Sequence, residues 1–261
     1  MKNEKDIPLL DCFYEDVQFL TADKCVKAET KQAYHDKVLP NQVKTAVLFW
    51  GYESKNIPNI MKDCELIVDD VAWQSYLWKK KILFVMLRIG APTAAASIEE
   101  LRIYGIENFI AAGTAGCIEK NFDESKVVVV TRAIRDEGTS YHYLPASTFV
   151  DLDKKFADNI SKFLNDKGVK NVQGTTWTTD GFYRETKKRI QKRIEQGALG
   201  VEMECAALTA ATKFHKVNFG QFIWFSDKVD GGDWSWLDTH EERKSLKEKM
   251  LLLALDFAET L

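Results

Sequence analysis

Apolar runs rich in β-branched and aromatic residues recur along the chain after residue 40 and alternate with segments of helical periodicity. This alternation is typical of β-α units built around a sheet that is buried on both faces. The pattern therefore predicts an α/β fold, a single domain with a mixed central β-sheet flanked by helices. The runs predict strands at Thr45–Phe49, Ile82–Leu87, Asn108–Ala112, Val127–Ile134, Val172–Thr178 and Phe219–Trp224.

The segments between these runs carry helix start and stop signals. Thr93–Tyr104 has apolar residues at helical spacing, with Pro92 near its start and Gly105 after its end, where helices favour these residues. No repeat, low-complexity tract or linker interrupts the chain after residue 40, so we predict one domain over residues 41–261 and an N-terminal arm over residues 1–40. Further helices are predicted at Asp151–Lys167, Lys187–Glu195, Met203–Phe214 and Glu241–Leu261.

Composition narrows the class of protein. A chain of 261 residues with 45% hydrophobic residues can bury a large single core. A net charge of −3 with scattered basic residues argues against nucleic acid or an anionic membrane as the partner. The five cysteines are widely spaced, and neither they nor the four histidines show metal-ligand spacing, so we predict no metal and no disulfide framework. The charged N-terminus lacks the apolar core of a signal peptide, and we expect a soluble, cytoplasmic protein.

Ligands of open α/β sheets bind beyond the carboxyl ends of the strands, so the segments that follow the predicted strands are the candidates for chemistry. The two glycines of Gly113–Gly116 allow backbone N–H groups to turn toward an anion, and Thr114 adds a donor, although a simple turn has the same pattern. Asp227 follows an apolar strand, where desolvation would favour the protonated carboxyl group. A turn or cap aspartate fits this position equally well.

Six segments in fixed order carry a resemblance: Ile89–Thr93, Phe109–Gly116, Ile134–Ser140, Thr179–Tyr183, Val201–Glu204 and Ser226–Asp227. In this order and spacing the chain resembles the nucleoside phosphorylase family, of the uridine phosphorylase and hexameric purine nucleoside phosphorylase type. The resemblance implies an enzyme that transfers ribose or deoxyribose from a purine or pyrimidine nucleoside to inorganic phosphate, without an organic cofactor. It also implies a homodimer or hexamer whose sites lie at subunit interfaces.

The resemblance assigns the ribose to the segment around Glu204. Met203 packs on the sugar and the Glu204 carboxylate accepts hydrogen bonds from its 2′- and 3′-hydroxyl groups, with Glu202 and Thr114 also at the ribose. A fixed anion here would stabilise the positive charge that develops on the sugar as the base departs. The sequence alone also allows a plainer interpretation, in which both glutamates begin a helix and interact with its dipole.

The resemblance assigns the remaining candidates to phosphate and base. Asp227 would donate a proton toward a departing purine base, acting as a general acid. Thr186 and Lys188 stand where uridine-type members carry glutamine and arginine, so the pyrimidine contacts are altered or absent, and the base preference stays open. The implied phosphate ligands are Gly51, Lys55, Gly113, Thr114 and Arg88, and the implied base ligands are Phe182, Ser226 and Asp227.

Two departures from the family pattern weaken the predicted phosphate site. Lys55 replaces an arginine and loses its bidentate geometry, and Ala111 stands where phosphorylases carry a second arginine. Our hypothesis is that Arg88, Arg135 or a cation of a neighbouring subunit replaces the lost charge. Glu53 keeps a hydrolytic nucleosidase as an alternative, because such enzymes activate water with a glutamate on this loop. A catalytically inactive nucleoside-binding protein is the third interpretation.

Overall fold

The computed structural model describes residues 7–10, 18–29, 32–50, 57–229 and 234–261. The helices are α1 (Ala22–Glu29), α2 (Gln32–Lys37), α3 (Pro58–Met61), α4 (Ala91–Leu101), α5 (Lys154–Asp166), α6 (Lys187–Glu195), α7 (Cys205–His215) and α8 (His240–Ala258). The strands are β1 (Thr45–Trp50), β2 (Cys64–Asp69), β3 (Trp73–Trp78), β4 (Ile82–Leu87), β5 (Asn108–Cys117), β6 (Val127–Asp136), β7 (Phe149–Asp151), β8 (Asn171–Thr179), β9 (Ala198–Glu202), β10 (Asn218–Lys228) and β11 (Ser235–Trp236).

The strands of the described ranges form one mixed sheet. Strands β4, β1, β5 and β10 run parallel to one another, whereas β2 and β3 extend this part of the sheet in antiparallel fashion. Strand β10 also pairs with β6, and the order continues through β8 and β9 back to β5. Five strands therefore close into a ring. The predicted α/β class with a mixed sheet and flanking helices is confirmed.

The sheet is covered on both faces, as its continuous apolar strands predict. On β1, Ala46 and Leu48 belong to a core cluster that includes buried residues of α4 and α7. The alternate residues Val47 and Phe49 belong to a second cluster with residues of α5 and α8. Because side chains alternate between the faces of a strand, β1 separates these two clusters. The α4 and α7 face is the one that carries the candidate site.

Several element boundaries differ from the predicted ones. Strand β5 continues to Cys117 and β10 to Lys228, so residues 113–116 and 225–227 lie within strands and not in loops. The glycines of β5 allow this, because they let neighbouring strands approach: a Cβ on Gly116 would stand 2.8 Å from a methyl carbon of Val229. Helix α7 begins at Cys205 and not at Met203. Strands β2 and β3 escaped prediction because polar residues interrupt their apolar runs, and several residues of the edge strand β2 are exposed.

Part of the predicted N-terminal arm lies against the domain. Val26, Tyr34 and Val38 are buried in the core cluster that includes α4 and α7. The boundary at residue 40 remains a prediction. Of the helices within the described ranges, none combines the length and apolar character needed to span a membrane.

Candidate active site

The junction between β9 and α7 holds two buried glutamates. Glu202 ends the strand, and one of its carboxylate oxygens accepts hydrogen bonds from the backbone N–H groups of Glu204, at 2.8 Å, and Cys205, at 2.7 Å. Its other oxygen accepts a hydrogen bond from the Thr178 hydroxyl at 2.6 Å. Glu202 thus satisfies the free N–H groups at the start of α7 and holds Glu204 in place. Its predicted contact with ribose stays a prediction.

Glu204 is the residue that immediately precedes α7, and its side chain turns toward the start of α4. One oxygen accepts a hydrogen bond from the backbone N–H of Gly90 at 2.8 Å, and the other from that of Met203 at 3.2 Å. Gly90 has a φ of +119°, which a residue with a Cβ adopts only with strain. The starts of α4 and α7 therefore meet at one carboxylate.

The surroundings of Glu204 disfavour the ionised form of its carboxyl group. Burial, followed by the negative charge of Glu202, raises the pKa of Glu204 from 4.5 to about 8. Burial also raises the pKa of Glu202. A carboxyl group whose ionisation is this unfavourable is stabilised in its charged form by a ligand that brings hydroxyl donors or positive charge. A ribose that becomes cationic supplies both.

This arrangement predicts a pH dependence. If the ionised form of Glu204 is the active one, kcat/KM should rise with pH through an apparent pKa near 8, which belongs to the pair of glutamates. Glu202→Gln removes the neighbouring charge, so we expect the rising limb to move to lower pH. The measurement is kcat/KM between pH 5 and 10 for both proteins. Rising limbs that coincide would show that the charge of Glu202 does not act on the active group.

Gly113 and Thr114 lie inside β5, at the level where the neighbouring strand β1 ends. Gly113 pairs with Ile223 and Thr114 with Trp224 on the parallel strand β10. The indole of Trp50, at the end of β1, packs against Gly113. Thr114 is partly exposed. The first loop of the predicted phosphate site, with Gly51, Glu53 and Lys55, lies outside the described residues.

Both arginines proposed as the replacement cation have hydrogen-bond partners within the described residues. Arg88 is exposed at the end of β4, and its Nε donates a hydrogen bond to the carbonyl of Val71 at 3.3 Å. Arg135 is buried, and its guanidinium stacks on the Tyr141 ring at 4.2 Å. The guanidinium of Arg135 also donates hydrogen bonds to the Ser140 and Ser147 hydroxyl groups and to the carbonyl groups of Leu144 and Pro145. Arg135 therefore holds its own loop, and its suggested role at phosphate stays a prediction.

This role makes a testable prediction about stability. Arg135→Met should lower the free energy of unfolding by about 3 kcal/mol, because it removes a buried guanidinium that binds the buried Ser140 hydroxyl and three partly buried acceptors. Chemical denaturation measures the change. Arg132→Met, on the same strand, is the control: Arg132 is exposed and pairs with Asp151 at 2.5 Å, and exposed ion pairs contribute little. Equal effects of the two substitutions would contradict the structural role of Arg135.

Asp227 lies within β10, opposite Gly116 of β5. One carboxylate oxygen accepts a hydrogen bond from the Ser226 hydroxyl at 2.7 Å, and the other from the indole N–H of Trp234 at 3.0 Å. Both oxygens are thus already acceptors in this arrangement. Trp234 remains 56% exposed, and Asp227 itself is partly exposed.

A residue that sequence reasoning missed stands near Asp227. Glu185 follows the short 3-10 turn Phe182–Arg184 and is partly buried. Burial, followed by the negative charge of Asp227, raises the pKa of Glu185 to about 7. A carboxyl group two residues after the aromatic pair of the base segment could have indicated a site residue. The comparison with the family pattern instead selected Thr186 and Lys188. Both of these are exposed at the start of α6.

The aromatic side chains of the predicted base segment are available to a ligand. Phe182 is 59% exposed and Tyr183 is 92% exposed. Their rings meet edge to face, with centroids 4.8 Å apart. Within the described residues, no group of three or more His, Cys, Asp and Glu side chains is arranged to hold a metal ion.

The fold defined by this sheet is shared with solved structures of a uridine phosphorylase. It matches uridine phosphorylase from Vibrio fischeri ES114 with a TM-score of 0.69 and 22% identity, covering 85% of this chain and 94% of that one. It also matches the complex of that enzyme with 6-hydroxy-1-naphthoic acid, with a TM-score of 0.68 and 24% identity over 84% of this chain and 92% of that one.

Sequence comparison identifies the family. The family model described as the phosphorylase superfamily matches residues 53–259. DeoD-type purine nucleoside phosphorylases of Bacillus cereus and of Bacillus thuringiensis (strain Al Hakam) are both 32% identical over 177 residues, which is 65% of this chain and 72% of each relative. The chain belongs to the phosphorylase superfamily.

Proposed function

We propose that this protein is a nucleoside phosphorylase, a pentosyltransferase that cleaves the N-glycosidic bond of a purine or pyrimidine nucleoside with inorganic phosphate. The products are the free base and ribose 1-phosphate or its deoxy form. The observation that carries the proposal is the buried carboxylate of Glu204, fixed by the N–H groups of Gly90 and Met203. The relatives named purine nucleoside phosphorylase support the same reaction.

The proposed reaction divides among three parts of the site. Glu204 and Met203 hold the ribose, and the carboxylate stabilises the cationic sugar as its bond to the base breaks. Gly113 and Thr114 bind the phosphate that attacks the sugar, with Gly51, Lys55 and Arg88 as further predicted ligands. Phe182, Ser226 and Asp227 receive the base. Inorganic phosphate is a co-substrate, and the proposed reaction needs neither an organic cofactor nor a metal.

Phosphorolysis is favoured over the two alternatives by the relatives. Both Bacillus relatives are named as phosphorylases. A nucleosidase would depend on Glu53, which lies outside the described residues. In an inactive binding protein, the fixed position of the Glu204 carboxylate would contribute to no reaction.

A nucleoside panel tests the reaction. The protein is incubated with adenosine, inosine, guanosine, uridine and thymidine, with and without phosphate, and both base and sugar products are quantified. We expect base release that saturates with phosphate and yields the pentose 1-phosphate. Base release at the same rate without phosphate, with free ribose as product, would establish the nucleosidase instead. Nucleoside binding without base release would establish the inactive member.

We further infer that the protein acts in the cytoplasm as a homodimer or hexamer. The thiols of the described cysteines are free, which fits a reducing compartment. Exposed Phe182, Tyr183, Trp234 and Trp236 offer apolar surface near the site for a neighbouring subunit. Light scattering on the purified protein measures the assembly, and a monomer at micromolar concentration would contradict it.

A further inference from the structure

Trp50 lies at the candidate site, although it is not among the predicted phosphate ligands. It ends β1 and packs against the core cluster that contains Ala46 and Leu48, on the sheet face covered by α4 and α7. Parallel pairing aligns Leu48 with Ala111 and Phe49 with Ala112. The next residues along the two strands are Trp50 and Gly113. The indole therefore lies at the carboxyl end of the parallel strands, where ligands of such sheets bind.

The indole and its neighbours on β5 are complementary in size. A Cβ built on Gly113 would stand 3.3 Å from Cε3 and 3.8 Å from Cζ3 of Trp50, so the ring occupies the space above this glycine. Ala111, two residues earlier and in the same core cluster, contributes only a methyl group. A long side chain at position 111 would project toward the region that the indole fills. The chain thus combines a small residue on β5 with the largest side chain on β1.

The indole N–H of Trp50 is buried and meets no acceptor among the described residues. Buried donors almost always have a partner, because leaving one unpaired is unfavourable. The two arginines suggested as replacement cations make other contacts: the Arg135 guanidinium binds its own loop and Arg88 donates to the Val71 carbonyl. The described part of the site thus offers a neutral donor on the side chain that packs against Gly113.

We propose that the indole N–H of Trp50 donates a hydrogen bond to an oxygen of the phosphate co-substrate, in the region where a cation at position 111 would act. This inference rests on the proposed phosphorolysis. An ionised acceptor makes the bond stronger than one between neutral groups, although weaker than a bidentate guanidinium contact. We therefore expect Trp50 to govern the affinity for phosphate and not the affinity for nucleoside.

Trp50→Phe tests the proposal, since it keeps an aromatic ring at the end of β1 and removes the N–H together with the outer part of the indole. At saturating nucleoside we expect the KM for phosphate to rise about tenfold or more, with little change in the KM for nucleoside. The control is Trp224→Phe, which removes an indole N–H from the opposite face of the sheet at the level of Thr114. Its KM for phosphate should equal that of the wild type. A folded Trp50→Phe protein with the wild-type KM for phosphate would overturn the proposal.

A second pair of variants asks whether the indole and a cation act in the same place. Trp50→Ala should bind phosphate weakly, and Trp50→Ala combined with Ala111→Arg should regain affinity, because the guanidinium enters the vacated space. Equal KM values for the two proteins would count against a shared position. The outcomes also separate the two proposals. Base release that ignores phosphate in the wild type rejects phosphorolysis, whereas a phosphate-dependent wild type with an unaffected Trp50→Phe variant rejects only the role of Trp50.

Discussion

Replacing Glu204 with glutamine is expected to lower kcat/KM for every nucleoside that the protein cleaves by about a hundredfold to a thousandfold. The amide keeps the size of the side chain and can still accept the hydrogen bond from Gly90. It cannot supply the negative charge that balances the cationic sugar, and this charge matters most in the transition state. Steady-state kinetics with the best substrate of the panel measures the loss.

Stability distinguishes this loss from damage to the fold. Glu204 binds its proton more tightly in the folded than in the unfolded chain, because its pKa rises from 4.5 to about 8 on folding. Its contribution to stability is therefore fully present below pH 4.5 and is lost as the pH rises toward 8. Glu204→Gln removes this dependence, so its Tm at pH 8 should equal or exceed that of the wild type.

The exposed Glu195→Gln on α6 serves as the kinetic control and should leave kcat/KM unchanged. Wild-type kcat/KM in a folded Glu204→Gln protein would show that the catalytic anion lies elsewhere. A Tm at pH 8 well below that of the wild type would show that the carboxylate stabilises the fold, in contrast to its raised pKa. The two measurements therefore test the catalytic and the structural interpretation of one residue.

The sequence predicted the central strands best, because they are buried on both faces. The runs at β1 and β4 are continuously apolar, and their predicted boundaries agree with the structure to within one residue. Strand β2 was missed because it lies at the sheet edge and mixes polar with apolar residues, and β3 was missed because Gln74 and Ser75 interrupt its apolar run. The ends of β5 and β10 were also missed, because glycines and polar residues normally indicate a turn and here continue a strand.

The candidate site, like the fold, could be predicted only in part from the sequence. The segment Gly200–Ala207 could be recognised from its sequence pattern, yet only the structure shows that Glu202 binds the start of α7 while Glu204 turns toward Gly90. The Arg135 loop could not be assigned, because a buried arginine bound to its own loop and a phosphate ligand have the same sequence signature. The proposed role of Trp50 could not be predicted for a related reason: the sequence of a strand end does not show whether an indole N–H lacks a hydrogen-bond partner.

The geometry explains why two glutamates flank one methionine. A strand that enters a helix directly leaves several N–H groups of the first turn without partners. Glu202 satisfies two of them from the strand, so Glu204 does not need to cap the helix and its carboxylate is directed at Gly90. The helix-start interpretation and the ribose interpretation of the sequence are therefore compatible. One glutamate serves the helix, which leaves the other for the ligand.

Asp227→Ala is expected to lower kcat for purine nucleosides by about a hundredfold to ten-thousandfold, the range of general acid catalysis. A purine base leaves more easily when it takes up a proton, and Asp227 lies beside Glu185, whose pKa is raised to about 7. Burial thus favours the protonated form of Glu185 close to where the base is predicted to bind. The measurement is kcat for inosine in both proteins.

A purine nucleoside methylated at N7 separates proton donation from positioning. Its base is already cationic, so it leaves without a proton, and Asp227→Ala should cleave it at close to the wild-type rate. Glu185→Gln, which leaves the hydrogen bonds from Ser226 and Trp234 to Asp227 intact, should lower kcat for inosine less than Asp227→Ala does. If Asp227→Ala slows the methylated and unmethylated substrates equally, Asp227 positions the base and does not protonate it. The ratio of the two rates therefore decides which chemical role the carboxyl group has.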